Sequence, residues 1–459
     1  MVIALNLFGL HPTAPIARAE VTPASRQSIA REQRLSPLPG SLDRILLIND
    51  NNPELITGDG ILLSMFPGGP GLNQPLAGRF DLFSHHVYAG TPETVESTLW
   101  MAVLAQPVGD DAVTVELVSG STALSQATAP GQRAAPFLPL PALMRETSEP
   151  IAAGPGSRVA GDLLRNERTH ELPHRWTLSP NQASSLVVLP IPVKGLDPLL
   201  NGRNLQMRLH TSGPVYLATL AARGSSDKAP PLEHWQALLA SGTLSPKEHA
   251  PTPRGSRGRI IYSRVSGVQV GSRWTATVTD PGRDSLSLPL TPIGWPISSL
   301  EQGDLGTGQV QTAELQAMSP GTAWAAHGNY GVEYDITLPL VNNTSRRRSV
   351  VLALESPIKS GSDEKRLLFS EPPKRSVMFR GPVEVRGLDG SKGGPTGRRI
   401  QHLVLRQGLQ GPELGRVTLD PGEGRRVRVR LIYPADATPP QVLSVLPVKQ
   451  STPTVSVGP

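Results

Sequence analysis

The stretch GDLGTGQVQTAELQAMSPGTAWAAHGNYGVEYDITLPLVNNT, residues 303–344, decides the fold. Its glycines permit positive φ angles or close approach of two chains, which suits tight turns. Toward its end, Glu333 and Asp335 alternate with Tyr334 and Ile336, the period-two pattern of a β-strand. The simplest interpretation is a polar outer face over an apolar inner face. The segment therefore indicates strands joined by turns, without a grouping of acid and base residues.

Short apolar runs with the same character lie on both sides of this stretch. AVTVELVSG at residues 112–120 alternates in the same way, and VVLPIPV at residues 187–193 is interrupted by prolines, as at sheet edges and loops. One segment, LEHWQALLASG at residues 232–242, has apolar residues at helical spacing and ends in glycine. Residues 121–156, rich in Ala, Pro, Ser and Gly, predict a long surface loop.

These patterns predict an all-β, mainly antiparallel fold with two β-sandwich-like domains and one short helix between them or at their edge. A chain of 459 residues is long enough for two cores of this kind. The predicted division is a signal peptide (1–19), a linker (20–39), an N-terminal β-rich domain (40–244), a second linker (245–258), a C-terminal β-sandwich-like domain (259–446) and a flexible tail (447–459).

The N-terminus predicts export. An apolar segment at residues 2–10 is followed by Ala17-Arg18-Ala19, which has the form of an A-x-A cleavage site. We therefore expect a periplasmic, outer-membrane-associated or extracellular protein. The later sequence contains no run of about 18 apolar residues, so we expect no transmembrane helix. The chain contains 0 cysteines, which excludes disulfides, thiol catalysis and iron–sulfur clusters. We expect no cofactor.

Several segments together resemble an uncharacterised family of exported cyanobacterial proteins, known only as a domain of unknown function. They include SPLPGSLDRILLINDNNPEL, GRFDLFSHHVYAG, AHGNYGVEYDITLPLVNN and LIYPADATPPQVLSV, and they extend from about residue 36 to residue 445. The resemblance implies a secreted or envelope protein. It implies no known activity, cofactor or catalytic residue.

The positive charge is concentrated toward the C-terminus. The net charge is +6, and from Val341 onward basic residues outnumber acidic ones. In RRVRVRLIYP, Arg426, Arg428 and Arg430 fall on one strand face. Such a row of guanidinium groups can bind sulfate, phosphate or carboxylate, so we predict acidic polysaccharide or another envelope component as its partner. The alternative is a solvated edge strand whose charges prevent aggregation.

Two further sets of residues are candidates for a site. Trp324 and Tyr330 could stack on sugar rings, or they could fill a sandwich core. His85 and His86, with His327 as a third ligand, could bind a metal ion or serve as acid and base. Adjacent residues on a strand point to opposite faces, so the alternative is that one histidine is hydrogen-bonded in a core and the other is exposed.

The predicted function is therefore that of an exported cell-envelope protein with a non-catalytic binding or structural role, recognising anionic glycan or surface groups through the arginine face. G-x-S-x-G, Walker A and H-E-x-x-H motifs are absent, and we assign no catalytic residue. We expect no nucleic-acid partner, because no binding motif accompanies the basic residues. The alternative is a carbohydrate-active or metal-dependent hydrolase.

Overall fold

The computed structural model describes most of the chain and confirms the all-β class, with about 50% strand and 6% helix. The predicted signal peptide (1–19) and the tail beyond residue 448 lie outside the described residues. The described residues are 27–94, 97–134, 137–138, 151–152, 154–256, 258, 260–261, 263–358, 365–391 and 394–448.

The strands are numbered in chain order. The first thirteen are β1 (Gln27–Glu32), β2 (Arg34–Leu35), β3 (Ser41–Leu42), β4 (Leu46–Leu55), β5 (Gly60–Ser64), β6 (Leu76–Ala89), β7 (Ser97–Pro107), β8 (Val113–Leu124), β9 (Phe137–Leu138), β10 (Ile151–Ala152), β11 (Arg175–Leu178), β12 (Ser184–Ile191) and β13 (Leu200–Ser225). The others are β14 (Val265–Val270), β15 (Arg273–Thr277), β16 (Leu286–Ser287), β17 (Ile293–Ile297), β18 (Leu315–Met318), β19 (Glu333–Val341), β20 (Arg348–Glu355), β21 (Arg366–Glu371), β22 (Val377–Arg386), β23 (Arg399–Arg406), β24 (Glu413–Leu419), β25 (Gly424–Ile432) and β26 (Gln441–Pro447).

The helices are α1 (Pro155–Arg165) and α2 (Leu232–Ser241), and Pro92–Thr94 forms a 3₁₀ turn. Helix α2 confirms the predicted helix, and its Trp235 is fully buried.

Helix α1 is a correction, because the sequence analysis predicts only one helix and assigns a loop up to residue 156. Its first turn begins with Pro155, and the carboxylate of Asp436, distant in sequence, accepts a hydrogen bond from the Ser157 backbone N–H. The helix has no side-chain N-cap of its own, so the local signals of its start are Pro155 at the first position and the helical spacing of Val159 and Leu163.

The largest sheet has ten strands and is organised by β13, which is 26 residues long. β13 pairs antiparallel with β6 and β8 along its first part and with β7 and β5 along its second. Alternate side chains, including Leu205 and Met207, enter an apolar core. The side chains between them, including Gln206 and Arg208, are also buried, so other parts of the chain cover this second face.

The other large sheets have seven and five strands and pack face to face as a β-sandwich. Tyr334 and Ile336 of β19, in the seven-stranded sheet, share one core cluster with Leu352 of β20 and Leu443 of β26 in the five-stranded sheet. The regular alternation in β19 supplies this inner face.

The sheets do not follow the predicted domain boundaries. β1 and β2 lie within the predicted linker 20–39, and they pair with β21 and β17 near the C-terminal sandwich. β14 and β18 lie within 259–446, but they belong to the ten-stranded sheet through the pairing of β14 with β4. The division into two domains stays a prediction. Because strands of one predicted domain pair with strands of the other, backbone hydrogen bonds join the two predicted domains.

The Tyr334 hydroxyl organises the polar part of the sandwich core. It donates to Oε1 of Gln311 at 2.9 Å and accepts from Nδ2 of Asn329 at 2.7 Å and from the Ser298 backbone N–H at 3.0 Å. All four residues are at most 2% exposed. Because a buried polar group without partners is costly, this hydroxyl fixes the loops that lie between β17 and β19.

We predict that Tyr334→Phe lowers the free energy of unfolding by about 1–2 kcal/mol, because three buried groups lose a hydrogen-bond partner. Urea unfolding followed by circular dichroism measures the change. The matched control is Tyr216→Phe, whose hydroxyl lies at an exposed position 3.5 Å from Asn73 Oδ1. Equal stability of the two variants would contradict the role given to Tyr334.

Candidate functional site

The arginine face lies inside a sheet and not at its edge. β25 is paired with β19 on one side and with β22 on the other, so the alternative interpretation as an edge strand does not hold. Arg428 makes a two-pronged ion pair with Asp335, in which Nε donates to Oδ1 at 2.6 Å. Arg430 Nη2 donates to Glu333 Oε1 at 2.7 Å. Arg426 is exposed. Two of the three predicted ligand-binding guanidinium groups are thus engaged by carboxylates of the same chain.

Glu333 is the centre of this charged cluster and joins the two parts of the molecule. Its carboxylate is fully buried and contacts Arg208 of β13 at 2.7 Å, Arg430 of β25 at 2.7 Å and Arg273 of β15 at 3.1 Å. Burial alone would raise the pKa of Glu333, but the Arg208, Arg430 and Arg273 guanidinium groups outweigh it and lower the pKa to about 2. The first part of the predicted polar outer face of β19 is therefore internal, and Glu333 there contacts β13 of the ten-stranded sheet, whereas Thr337, Pro339 and Val341 further along are half-buried.

We predict that Glu333→Gln lowers the free energy of unfolding at pH 7 and that the loss shrinks in acid. A carboxylate whose pKa falls from 4.5 to about 2 on folding contributes about 3 kcal/mol above pH 4.5, and this contribution is lost as the pH falls toward 2. Urea unfolding of both proteins at pH values between 7 and 2.5 tests this. Glu32→Gln, at an exposed position of β1, is the control. A constant difference between parent and variant over this range would contradict the prediction.

The adjacent histidines of β6 lie in different surroundings, because His86 is fully buried and His85 is half-buried. His86 Nε2 lies 2.9 Å from Asp50 Oδ2, with both side chains fully buried, and the Ser84 hydroxyl donates to the same oxygen at 3.1 Å. Burial, reinforced by the neighbouring His86, lowers the pKa of His85 to about 4, so His85 is neutral at pH 7. The His86–Asp50 pair is fully buried and therefore serves the interior of the protein.

His327 lies elsewhere, with its Nε2 atom 2.8 Å from the Tyr330 hydroxyl. Within the described part of the chain, no closely spaced group of three metal-ligating side chains includes His85, His86 or His327. The structure thus does not assemble the predicted three-histidine site.

The two aromatic candidates have different surroundings. Tyr330 is 2% exposed, its ring stacks against Phe83 at 6.3 Å between centroids, and its hydroxyl donates to the Ala437 carbonyl at 2.9 Å. It therefore fills the core, as the alternative interpretation has it. Trp324 is partly exposed and lies in the wall of a cleft.

This feature, the Trp324 cleft, has a volume of about 320 Å³. The Arg254 guanidinium lies 4.7 Å from the centre of the Trp324 ring, and its Nη1 donates to Glu314 Oε2 at 3.1 Å. Ile261 and Val310 are large apolar residues that are 44% and 50% exposed at the cleft. The other lining residues include Pro251, Thr252, Pro253, Leu300, Glu301, Gln302, Thr312 and His327.

Sequence reasoning missed the contribution of the segment around Arg254. Residues 245–258 are predicted as a linker, but residues 251–256 form one wall of the cleft. The partners Arg254 and Glu314 are 60 positions apart in sequence, so no local pattern could bring them together. Trp324 was the one available signal, as a large aromatic residue in a chain with only 4% aromatic residues.

The fold and the cleft together define an all-β protein with a partly exposed aromatic site and a charged interior. The chain belongs to the family described as protein of unknown function (DUF3370), whose family model matches residues 33–447. Comparison with curated proteins gives no match. Among solved structures, the coconut allergen cocosin is similar at 10% identity over 81% of this chain and 77% of that chain. Its TM-score of 0.10 supports no inference about fold or function. In the described part of the chain, no helix has both the length and the apolar character needed to cross a membrane.

Proposed function

We propose that the protein is an exported, non-catalytic module of the cell envelope that binds acidic polysaccharide in the Trp324 cleft. The observation that carries this proposal is the partly exposed Trp324 ring beside the Arg254 guanidinium in a concave site. The cleft falls in the range of about 300–1,000 Å³ that is typical of small-ligand sites, which suits one or two sugar units.

Trp324 supplies a platform for a sugar ring. The face of an indole ring carries negative electrostatic potential, and the C–H groups on one face of a pyranose ring are weakly positive. The apolar neighbours Ile261 and Val310, which remain exposed, extend this platform. Exposed apolar side chains grouped around a cleft favour a ligand that covers them.

Arg254 supplies the preference for an acidic ligand. A guanidinium group has five N–H donors, and Glu314 engages the two Nη atoms of Arg254. A carboxylate or sulfate on the sugar can therefore approach the Nε side without breaking the pair with Glu314. The net charge of +6 favours the approach of an acidic polymer. The arginine face of β25 is less suitable, because Arg428 and Arg430 are paired internally.

A non-catalytic role fits the chemistry of the cleft better than a hydrolytic one. Glycosidases of the usual type need two carboxylates on either side of the scissile bond. Glu301 is the one carboxylate among the described residues that line the cleft. Among the other candidates for a hydrolase, His86 is fully buried against Asp50 and His85 is half-buried, and neither lines the cleft.

Support for export comes from the N-terminal sequence. The apolar residues 2–10 and Ala17-Arg18-Ala19 have the order of a signal peptide, and a chain with 0 cysteines needs no disulfides after export. Mass spectrometry of the mature protein should find Glu20 at its N-terminus. An N-terminal peptide that retains residues 1–19 in the cell envelope fraction would contradict this part of the proposal.

We predict that Trp324→Ala weakens binding to acidic oligosaccharides about 5- to 150-fold, because stacking of a ring on an aromatic side chain contributes on the order of 1–3 kcal/mol. Trp324→Phe should retain most of the affinity, since it keeps an aromatic face. A glycan array identifies the ligand, and isothermal titration calorimetry measures the dissociation constant.

The control for this experiment is Trp100→Ala, which removes a partly exposed tryptophan that does not line the cleft. Binding should weaken as the salt concentration rises, because the ion pair with Arg254 is screened. Binding that is unchanged in Trp324→Ala would rule out the cleft. Binding of neutral glycans alone would rule out the acidic ligand.

A further inference from the structure

A second cluster of polar side chains lies where β4 ends against the segment that follows α2. The side chain of Glu54, in β4, accepts a hydrogen bond from the backbone of Glu248, and the side chain of Glu248 accepts one from the backbone of Leu55. The Glu248 N–H donates to Glu54 Oε2 at 2.9 Å, and the Leu55 N–H donates to Glu248 Oε2 at 3.0 Å. His249 Nδ1 lies 3.5 Å from Glu54 Oε1. One ligand atom from each of Glu54, Glu248 and His249 lies within 4.8 Å of the others.

The Glu54 carboxylate is only partly satisfied. Its side chain is 3% exposed, and among the described residues its Oε1 atom accepts no hydrogen bond. Burying a carboxylate oxygen without a hydrogen bond costs free energy. Here the Glu54 Oε1 atom lies near the imidazole of His249 and the carboxylate of Glu248. The lack of a hydrogen bond at this oxygen indicates a ligand independently of the close spacing of the three side chains.

The spacing suits a metal ion. Oxygen and nitrogen ligands of zinc lie about 2.0–2.2 Å from the ion, so two ligands at the tetrahedral angle are about 3.4 Å apart. The separation of 3.5 Å between Glu54 Oε1 and His249 Nδ1 agrees with this. Glu248 is exposed and can turn its carboxylate toward the same point, which leaves a fourth position open to water.

The charges around the cluster are compatible with a cation. Arg264 and Lys247 interact with Glu54, and both are held by backbone carbonyls. Arg264 donates to those of Ser245 and Pro246, each at 2.9 Å, and Lys247 donates to the carbonyl of Pro320 at 2.9 Å. Glu54 and Glu248 balance these two cations, and Asp50, which also interacts with Arg264, is paired with His86.

We infer that Glu54, Glu248 and His249 form a binding site for a divalent transition-metal ion of the zinc class. An imidazole nitrogen with two carboxylates favours Zn²⁺ or Mn²⁺ over Ca²⁺ and Mg²⁺, which prefer oxygen ligands alone. The bound ion fastens residues 248–249 to β4. Residues 251–256, immediately after them, form a wall of the Trp324 cleft, so the ion also stabilises that wall.

The test is isothermal titration calorimetry of the full mature chain, first treated with chelator, against Zn²⁺ at pH 7. We expect one saturable site per chain, bound at least about tenfold more weakly in Glu54→Gln and in His249→Ala. His249 is 57% exposed at its side chain, so its replacement leaves the fold intact even if Glu54→Gln does not. Circular dichroism verifies folding of each variant.

Two controls separate this site from other sources of metal binding. His234→Ala removes an exposed imidazole of α2 and should leave the affinity unchanged. Trp324→Ala should also bind Zn²⁺ normally, so failure of the glycan proposal and failure of this one are distinguishable. The inference is overturned by the absence of saturable Zn²⁺ binding, by unaltered affinity in both Glu54→Gln and His249→Ala, or by tighter binding of Ca²⁺ than of Zn²⁺.

Discussion

The rest of the structure depends on the ion pairs that the buried Glu333 carboxylate makes with three arginines. A carboxylate removed from water loses several kcal/mol of solvation, and this loss is compensated only where opposite charges and hydrogen bonds surround it. Arg208, Arg273 and Arg430 provide that environment from three strands, one of which belongs to the ten-stranded sheet. Because Arg208 belongs to the ten-stranded sheet and Glu333, Arg273 and Arg430 belong to the seven-stranded sheet, this cluster connects the two sheets.

The same constraint explains why several residues that look functional in the sequence are structural. The polar side chains of β13 reach the start of β19, where Arg208 pairs with Glu333, and Gln206 donates to the Gly331 carbonyl at 2.7 Å. Charged and histidine side chains in this region must therefore find partners inside the protein. His86 has Asp50, and Arg430 has Glu333. The side chains available to ligands therefore lie at the rim of the molecule, in the loops that connect the strands.

The segment 245–258 contributes residues to both of the proposed sites. In the sequence it has the charged, proline-containing composition of a linker, which predicts a boundary between domains. In the structure it lies along β4 and reaches the loop that carries Trp324, through the Arg254 guanidinium above that ring. The proposed metal site and the proposed glycan site are thus two ends of one segment. Ligand binding at rim segments supported by a rigid scaffold is a common arrangement in β proteins.

The sequence by itself determined the fold class, helix α2 and the apolar faces of strands such as β19, because hydrophobic periodicity and turn residues are local properties. It also singled out Trp324. The tertiary structure alone decided that Glu333 is buried, that Arg428 and Arg430 are engaged, that Asp436 caps α1, and that Arg254 and Glu314 meet. The physical reason is that alternation shows which residues share a strand face, whereas burial of a polar face depends on partners far away in the sequence.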